Sequence, residues 1–256
     1  MSADRSSPIA SERWERPQSP HRPWPPPTGS WVMFQRWHDL LFAHWRVPAN
    51  TLRPLVPDAL PLDLFDGEAW LAVAPFRMSG VRLRGLPPVP GASRFPELNV
   101  RTYVTVGEKP GVYFFSLDVT NPLAVAAART GFRLPYHRSR MTCEPFGSGI
   151  SYLCERGPHG REAAFEAWYE PHGAPYTAVP GTLEHFLVER YCLYTSAGAR
   201  VWRVEIDHAP WPLQRARAEV RRNTMAAAAG VSLSGDPLLH FARRLDVRVW
   251  MPARVR

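Results

Sequence analysis

Residues 95–141, FPELNVRTYVTVGEKPGVYFFSLDVTNPLAVAAARTGFRLPYHRSRM, narrow the fold of this chain more than any other stretch. Side chains two apart on a strand share a face, so Glu97, Asn99, Arg101 and Tyr103 project together while Leu98, Val100, Thr102 and Val104 project the other way. Gly107 to Gly111 has turn residues at both ends, and Val112 to Val119 returns as a second strand. The return strand is apolar or aromatic on both faces, and Tyr103 is a costly residue to leave in water. An antiparallel hairpin with an enclosed polar face follows. Once enclosed, Glu97 and Arg101 must pair with each other or meet a ligand, because an unpaired buried charge is expensive. The same face read as an ordinary solvated strand would need neither.

Asn121-Pro122 followed by LAVAAARTG carries an N-cap, a proline in the first turn and a glycine stop, which predicts a short helix. It delivers the chain to Phe132-Arg133-Leu134-Pro135-Tyr136-His137-Arg138, where cations and aromatics crowd around a proline.

Around this segment the reading is mostly strands. Phe34 to Val47 is predicted as one long or bent strand with His38 and His44 on one face. Asp66-Gly67 is a hairpin turn joining Leu60–Phe65 to Glu68–Met78, and the Gly/Pro-rich stretch 79–96 reads as a long loop. Further strands are predicted near 139–144, 150–155, 162–170, 191–195, 200–207, 213–221 and 245–251, with helices at Thr182–Arg190, Thr224–Ala229 and Pro237–Arg243. Many strands of similar length with few helices imply a mainly β (α+β), antiparallel, barrel-like domain with a few short helices.

Composition bounds the rest. Residues 1–30 carry Pro8, Pro17, Pro20, Pro23, Pro25, Pro26 and Pro27 among Ser and Arg, and are predicted to be a disordered tail ahead of one domain spanning 31–256. No stretch has the apolar length of a signal peptide or a membrane span, so a cytoplasmic, non-membrane protein is expected. Cys143, Cys154 and Cys192 have no metal-like spacing and read as reduced core thiols. The net charge is +8. That surplus is all arginine except Lys109, and in Gln214–Arg221 charged residues alternate with small or apolar ones, the mark of a strand with one solvated face. With no basic helix, zinc-finger spacing or stacking motif, nucleic acid is not the expected partner. A small-molecule ligand is, and a homo-oligomer is compatible with the sequence.

The runs RWHDLLFAHWRVP (36–48), LRPLVPDAL (52–60), FDGEAW (65–70), ELNVRTYV (97–104), GVYFFSLD (111–118), LPY (134–136) and LEHFLVERY (183–191) together resemble a bacterial domain-of-unknown-function family grouped with the acetoacetate-decarboxylase-like superfamily. The resemblance covers roughly 31–256 and implies a conical, barrel-like acetoacetate-decarboxylase-like fold with a central pocket. The decarboxylases form an imine on a lysine whose amine is activated by a neighbouring cation. Their lysine pair follows a proline, and Pro135-Tyr136-His137 stands at the matching place, so tyrosine and histidine replace both lysines. The decarboxylase glutamate falls near Glu97 and the pocket arginine at or beside His38.

Without the lysine, Glu97, Tyr136, His137 and His38 remain as candidate acid–base groups, with Arg101, Tyr103, Asn99 and Arg138 to bind a substrate carboxylate. Two functions fit this set: a lysine-independent lyase, hydratase or isomerase acting on a small oxo acid, or a non-catalytic pocket for a small hydrophobic or anionic ligand. Each residue also has an ordinary structural reading, such as Glu97 paired with Arg101, and His208-Ala209-Pro210-Trp211 reads as a structural corner. No cofactor is expected. Nor is a metal, since His38 and His44 would lie roughly 20 Å apart on a straight strand. Lys109, in a hairpin turn, is expected to face solvent. Borohydride reduction in the presence of acetoacetate or pyruvate should therefore leave Lys109 unmodified by intact mass; a stable adduct there would overturn the exclusion of imine chemistry.

Overall fold

Alternation that is apolar on both faces requires cover on both faces, and the chain supplies it by building one wall with a closed ring of strands on each side. The computed structural model describes residues 21–121, 131–157 and 162–255. Its strands are β1 Met33–Val47, β2 Ala69–Leu83, β3 Phe95–Val106, β4 Lys109–Val119, β5 Tyr136–Phe146, β6 Gly149–Arg156, β7 Ala163–Tyr176, β8 Cys192–Ala197, β9 Arg200–Asp207, β10 Leu213–Asn223, β11 Leu238–Val249 and β12 Ala253–Arg254. The sheet runs β12-β9-β8-β4-β3-β2-β1-β11-β10-β7-β6-β5 and closes twice, through β9–β11 and β4–β5.

Both closures arise where a long strand serves two partners along one edge. β4 offers Val112 and Tyr113 to β8 and Leu117–Val119 to β5, both parallel. β11 offers Leu238–Val249 to β1, its residues His240–Ala242 to β10, and Arg248 and Val249 to β9. One ring is thus β1-β2-β3-β4-β8-β9-β11, the other β1-β2-β3-β4-β5-β6-β7-β10-β11. Leu40, Phe42, Phe76, Leu117 and Trp211 face into the first ring; Leu41, Ala43, Val73, Val100, Phe165 and Phe241 fill the second.

A β-bulge adjusts which side chains face which ring. Asp39 has φ 49°, a left-handed conformation that aspartate tolerates better than most residues, and the β1–β2 register shifts between His38 and Ala43. Before it Gln35 and Trp37 face the first ring; after it Leu40 and Phe42 do. The kink is held from three directions: Tyr169 Oη donates to the Asp39 carbonyl at 2.8 Å, Arg77 pairs with its carboxylate at 2.9 Å, and Arg243 approaches at 3.7 Å.

The strands predicted at 97–104, 112–119, 139–144, 150–155, 162–170, 191–195, 200–207 and 213–221 are present, several of them longer than predicted, and Thr182 caps the helix Leu183–Val188 by accepting from the His185 N–H at 3.4 Å. A second short helix spans Met225–Ala228. Four expectations need correction. Pro237–Arg243 is not a helix but the start of β11, where Leu238, His240 and Ala242 face one ring and Leu239 and Phe241 the other, and burial on both faces erases the period-2 signal. Leu60–Phe65 is not a hairpin strand: beyond the Phe65–Glu68 bridge of the Asp66-Gly67 turn it makes one bridge, Leu62 to Val104. The predicted loop 79–96 shrinks, since β2 runs to Leu83 and β3 starts at Phe95. Finally, residues 21–30 do not belong to a disordered tail. The Arg22 side chain is fully buried, pairs with Glu205 at 3.1 Å and Asp207 at 3.2 Å, and lies 5.0 Å over the Tyr191 ring, while Trp24 Nε1 donates to Glu205 at 2.9 Å. Proline content signalled disorder; two anchoring side chains override it. The predicted helix following Asn121 lies outside the described residues.

Behind the shared wall, Arg156 grips Asp118 with two bonds, Nε to Oδ1 at 2.8 Å and Nη2 to Oδ2 at 2.5 Å, and Ser139 donates to Oδ1 at 2.6 Å. Asp118 is completely buried. Arg156→Met leaves that carboxylate without its cation and should cost about 3–5 kcal/mol of unfolding free energy in urea titrations.

Candidate functional site

The first ring is not completely filled. It encloses a cavity of about 370 Å³, within the size range of small-molecule sites, lined by side chains from β1, β2, β3, β4, β5, β8, β9 and β11. Most of the lining is apolar. The polar exceptions on the strands are concentrated on β3, where Glu97, Asn99 and Arg101 reach the cavity from alternate positions.

The β-ladder gives this cavity an axis. Arg101 pairs with Ala72, Glu97 with Phe76, and Phe95 with Met78 on β2; Met33 on β1 pairs with Leu83 at the far end of the same strand. Leu83 is 57 % exposed, whereas Arg101 is 8 % exposed. Arg101 therefore stands at the floor, Glu97 on the middle of the wall, and Leu83 at the mouth.

At the floor the Arg101 guanidinium lies 5.3 Å over the Phe42 ring, and Trp211 meets the same ring edge-on at 4.9 Å. Among the described residues Arg101 forms no ion pair, and neither its Nε nor Trp211 Nε1 has a hydrogen-bond partner. Arg190 adds a third donor. Its Nη1 pairs with Asp63 at 2.5 Å and its Nε donates to the Phe186 carbonyl at 2.6 Å, but its Nη2 is unpartnered. A buried carboxylate on this side, Glu189, is turned to the Trp211 backbone N–H at 2.9 Å. Arginine stays protonated in proteins, so Arg101 brings to this floor a positive charge with no ion-pair partner among the described residues.

Glu97 does not neutralise it. Its Oε2 accepts from Tyr136 Oη at 3.0 Å, and burial pushes its carboxyl up to about 8, the Tyr136 bond opposing and the Asp118 charge adding. The Tyr136 hydroxyl is itself held well above its usual range by burial and by Glu97. At neutral pH Glu97 is a carboxylic acid able to donate a hydrogen bond. Asn99 lies between the two, its Oδ1 buried and unpartnered.

Of the residues singled out from sequence, Glu97, Asn99, Arg101 and Tyr136 line the cavity together, and Tyr103, His38, His137 and Arg138 do not. Tyr103 shares the face of Arg101 but lies one step deeper, beneath the Arg190 guanidinium at 4.9 Å, with its hydroxyl donating to the Leu187 carbonyl at 2.9 Å. The Asp39 bulge separates His38 from His44. His38 turns outward and bonds Ser79 Oγ at 2.7 Å; His44 stays inside, fully buried, held neutral by burial and by the nearby Arg101 and His240. His137 and Arg138 follow β5 as it leaves for the second ring, opposite Asp118 and Val119. The Glu97–Arg101 pair is absent. Lys109 is not in open solvent either, since its Nζ pairs with Glu205 at 3.0 Å and lies 5.2 Å over the Trp24 ring; it does not line the cavity. Among the described residues no three His, Cys, Asp or Glu side chains come together as a metal site, and no helix is long and apolar enough to cross a membrane.

Sequence reading missed Arg190, His208 and Trp211 as cavity residues. The last two do form the structural corner, with His208 Nδ1 bonded to the Ala209 carbonyl at 2.8 Å, and line the cavity from it. No local pattern marks them, because the β8–β9 side of the ring reaches β3 only through the closed sheet.

The DUF2071 family model, described as an uncharacterized conserved protein, matches residues 34–246. The chain belongs to this family. The uncharacterized protein YqjF of Bacillus subtilis (strain 168) is 49 % identical over 225 residues, covering 88 % of this chain and 93 % of YqjF. Among solved structures, the acetoacetate decarboxylase of Legionella pneumophila matches with a TM-score of 0.64 at 11 % identity, covering 100 % of this chain and 98 % of the other. An acetoacetate decarboxylase-like enzyme from Sphingomonas wittichii RW1 matches with a TM-score of 0.63 at 12 % identity, over 89 % of this chain and 94 % of the other. The DUF2071 chain thus has the acetoacetate-decarboxylase-like fold.

The raised Glu97 carboxyl has a thermodynamic signature. The folded protein holds this proton more tightly than the unfolded chain, whose glutamates ionise near 4.5, so the Glu97 contribution to stability falls as pH rises from 4.5 to about 8 and is level beyond. Each pKa unit is worth about 1.4 kcal/mol, which makes the total several kcal/mol. Glu97→Gln, which still accepts from Tyr136, should flatten the decline in urea midpoint across this window and leave the variant more stable than wild type at pH 9.

Proposed function

We propose that the cavity binds a small oxo acid through its carboxylate and catalyses a lysine-independent lyase, hydratase or isomerase reaction on it, with Glu97 as the acid at the carbonyl oxygen. The observation that carries this reading is Arg101: a buried cation, aimed into a cavity, with no carboxylate of the protein to meet it. A cation left in that state costs several kcal/mol, which a ligand anion offsets.

The chemistry follows from the groups along β3. Lyase, hydratase and isomerase reactions of oxo acids share a step in which negative charge builds on the carbonyl oxygen, either as a carbon–carbon bond breaks or as water in the cavity takes the proton from the neighbouring carbon and later returns one to it. A neutral carboxylic acid beside that oxygen donates a hydrogen bond that strengthens as the charge develops. Tyr136 keeps the opposite Glu97 oxygen occupied at 3.0 Å, which fixes the direction in which the acid can donate. Asn99 supplies a further polar contact between the two ends. The solved relatives named for acetoacetate decarboxylation support an oxo acid as the substrate class; the imine route named for that fold is not available to Tyr136 and His137.

The alternative is a pocket that binds its anion without changing it. It draws on the mainly apolar lining, and it needs Arg101 but not an acid. Proton exchange at the carbon next to the carbonyl, followed by proton NMR in deuterium oxide with a panel of 3-oxo acids, separates the two. Catalysis predicts enzyme-dependent exchange that Glu97→Gln reduces by roughly a hundredfold or more with ligand affinity little changed, and that Arg101→Met reduces through weaker binding. Undiminished exchange in the Gln variant would remove Glu97 from the mechanism; no exchange in wild type, with binding intact, would leave the non-catalytic pocket.

A further inference from the structure

Resting on the Arg101 reading above, the geometry points to a more definite ligand: we infer that the cavity takes a monocarboxylic acid with an extended apolar body, its carboxylate on Arg101 at the floor and its chain directed toward the mouth.

Three features of the cavity lead there. The first is charge. Arg190 is already paired with Asp63 and Glu97 is uncharged at neutral pH, so Arg101 alone calls for an anion, and a dianion would bring one buried negative charge too many. Arg101 and Arg190 both line the cavity, and a guanidinium offers donors only, as a carboxylate requires.

The second is room. A cavity of about 370 Å³ that runs from Arg101 toward Leu83 is longer than a four-carbon acid anchored at the floor. Such an acid would leave the upper cavity to water against mainly apolar walls. The third is how polarity is distributed along the axis. Above Glu97 the lining is mainly apolar, with Phe95, Met78, Val81 and Met33 on the walls and Leu83 at the mouth, and Gln35 and Asn121 are its polar members. At about 3.3 Å per residue, Arg101 and Phe95 are roughly 20 Å apart along β3, so a chain anchored at the floor passes the Asn99 and Glu97 level before it reaches this apolar section. The section contributes affinity in proportion to the methylenes it removes from water, roughly fourfold for each.

Isothermal titration of the full chain with straight-chain carboxylates of four, eight and sixteen carbons tests this. The expected result is affinity that rises with chain length: octanoate binds at least roughly tenfold more tightly than butanoate, and hexadecanoate, which reaches the upper cavity, binds at least as tightly as octanoate. Val81→Trp, which narrows the upper cavity without touching Arg101, should weaken hexadecanoate more than butanoate, and Arg101→Met should weaken octanoate at least roughly tenfold while retaining the wild-type circular dichroism spectrum. Equal affinity for butanoate and octanoate, or hexadecanoate binding that Val81→Trp leaves unchanged, would overturn the apolar-body inference while leaving the Arg101 anchor standing if binding remains Arg101-dependent. Octanoate binding that Arg101→Met and Arg101→Lys both leave unchanged would remove the anchor itself, and with it the function proposed above.

Discussion

The five-stranded wall of β4-β3-β2-β1-β11 is the constraint on which everything else rests, because each of its strands must satisfy two interiors at once. Side chains on one face close a packed core; those on the other surround a cavity. A strand cannot rotate to improve one face without disturbing the other, so small errors of register are penalised twice. Two local irregularities reconcile the demands. Asp39 inserts a left-handed residue into β1, and the β3–β4 register shifts between Val100 and Arg101, which lets Phe114 and Leu117 both face the cavity.

The electrostatics of the site follow from this enclosure. Several buried charges in the molecule are matched by ions: Asp118 has Arg156, Arg22 has Glu205 and Asp207, and Arg190 has Asp63. Glu189 is held instead by the Tyr191 hydroxyl and the Trp211 backbone N–H, and Arg101 has no ion pair among the described residues. Burial that would ordinarily be costly is tolerated because the guanidinium spreads its charge over the Phe42 ring and because the unfilled space above it admits solvent or ligand. Glu97 responds to the same burial in the opposite way, by keeping its proton.

How much of this could be read from sequence depended on the range of the interaction. The β3–β4 hairpin was legible because alternation and turn chemistry are local, and the shared orientation of Glu97, Asn99 and Arg101 came with it. Tyr136 was legible through the family resemblance of its proline-led segment. The outward turn of His38 comes from a single backbone torsion at Asp39, which no periodicity reveals, and only the second half of β11 reads as a strand, because its first half, buried on both sides, loses its alternation. Arg22 was hidden in a proline-rich stretch, since its partners Glu205 and Asp207 lie some 180 residues further on. Arg190 and Trp211 reach the cavity only through ring closure, a property of the whole sheet.

The Asp39 bulge also divides the molecule by the kind of change it can absorb. Adding or deleting one residue in β1 would exchange the side chains of the two interiors along the rest of the strand, so the length of this wall is fixed and the floor of the cavity can be retuned only by substitution. Residues 84–94, between β2 and β3 at the mouth, obey no such rule. Insertions there would reshape the mouth of the cavity without moving Arg101 or Glu97, giving the fold a constant floor and an adjustable rim.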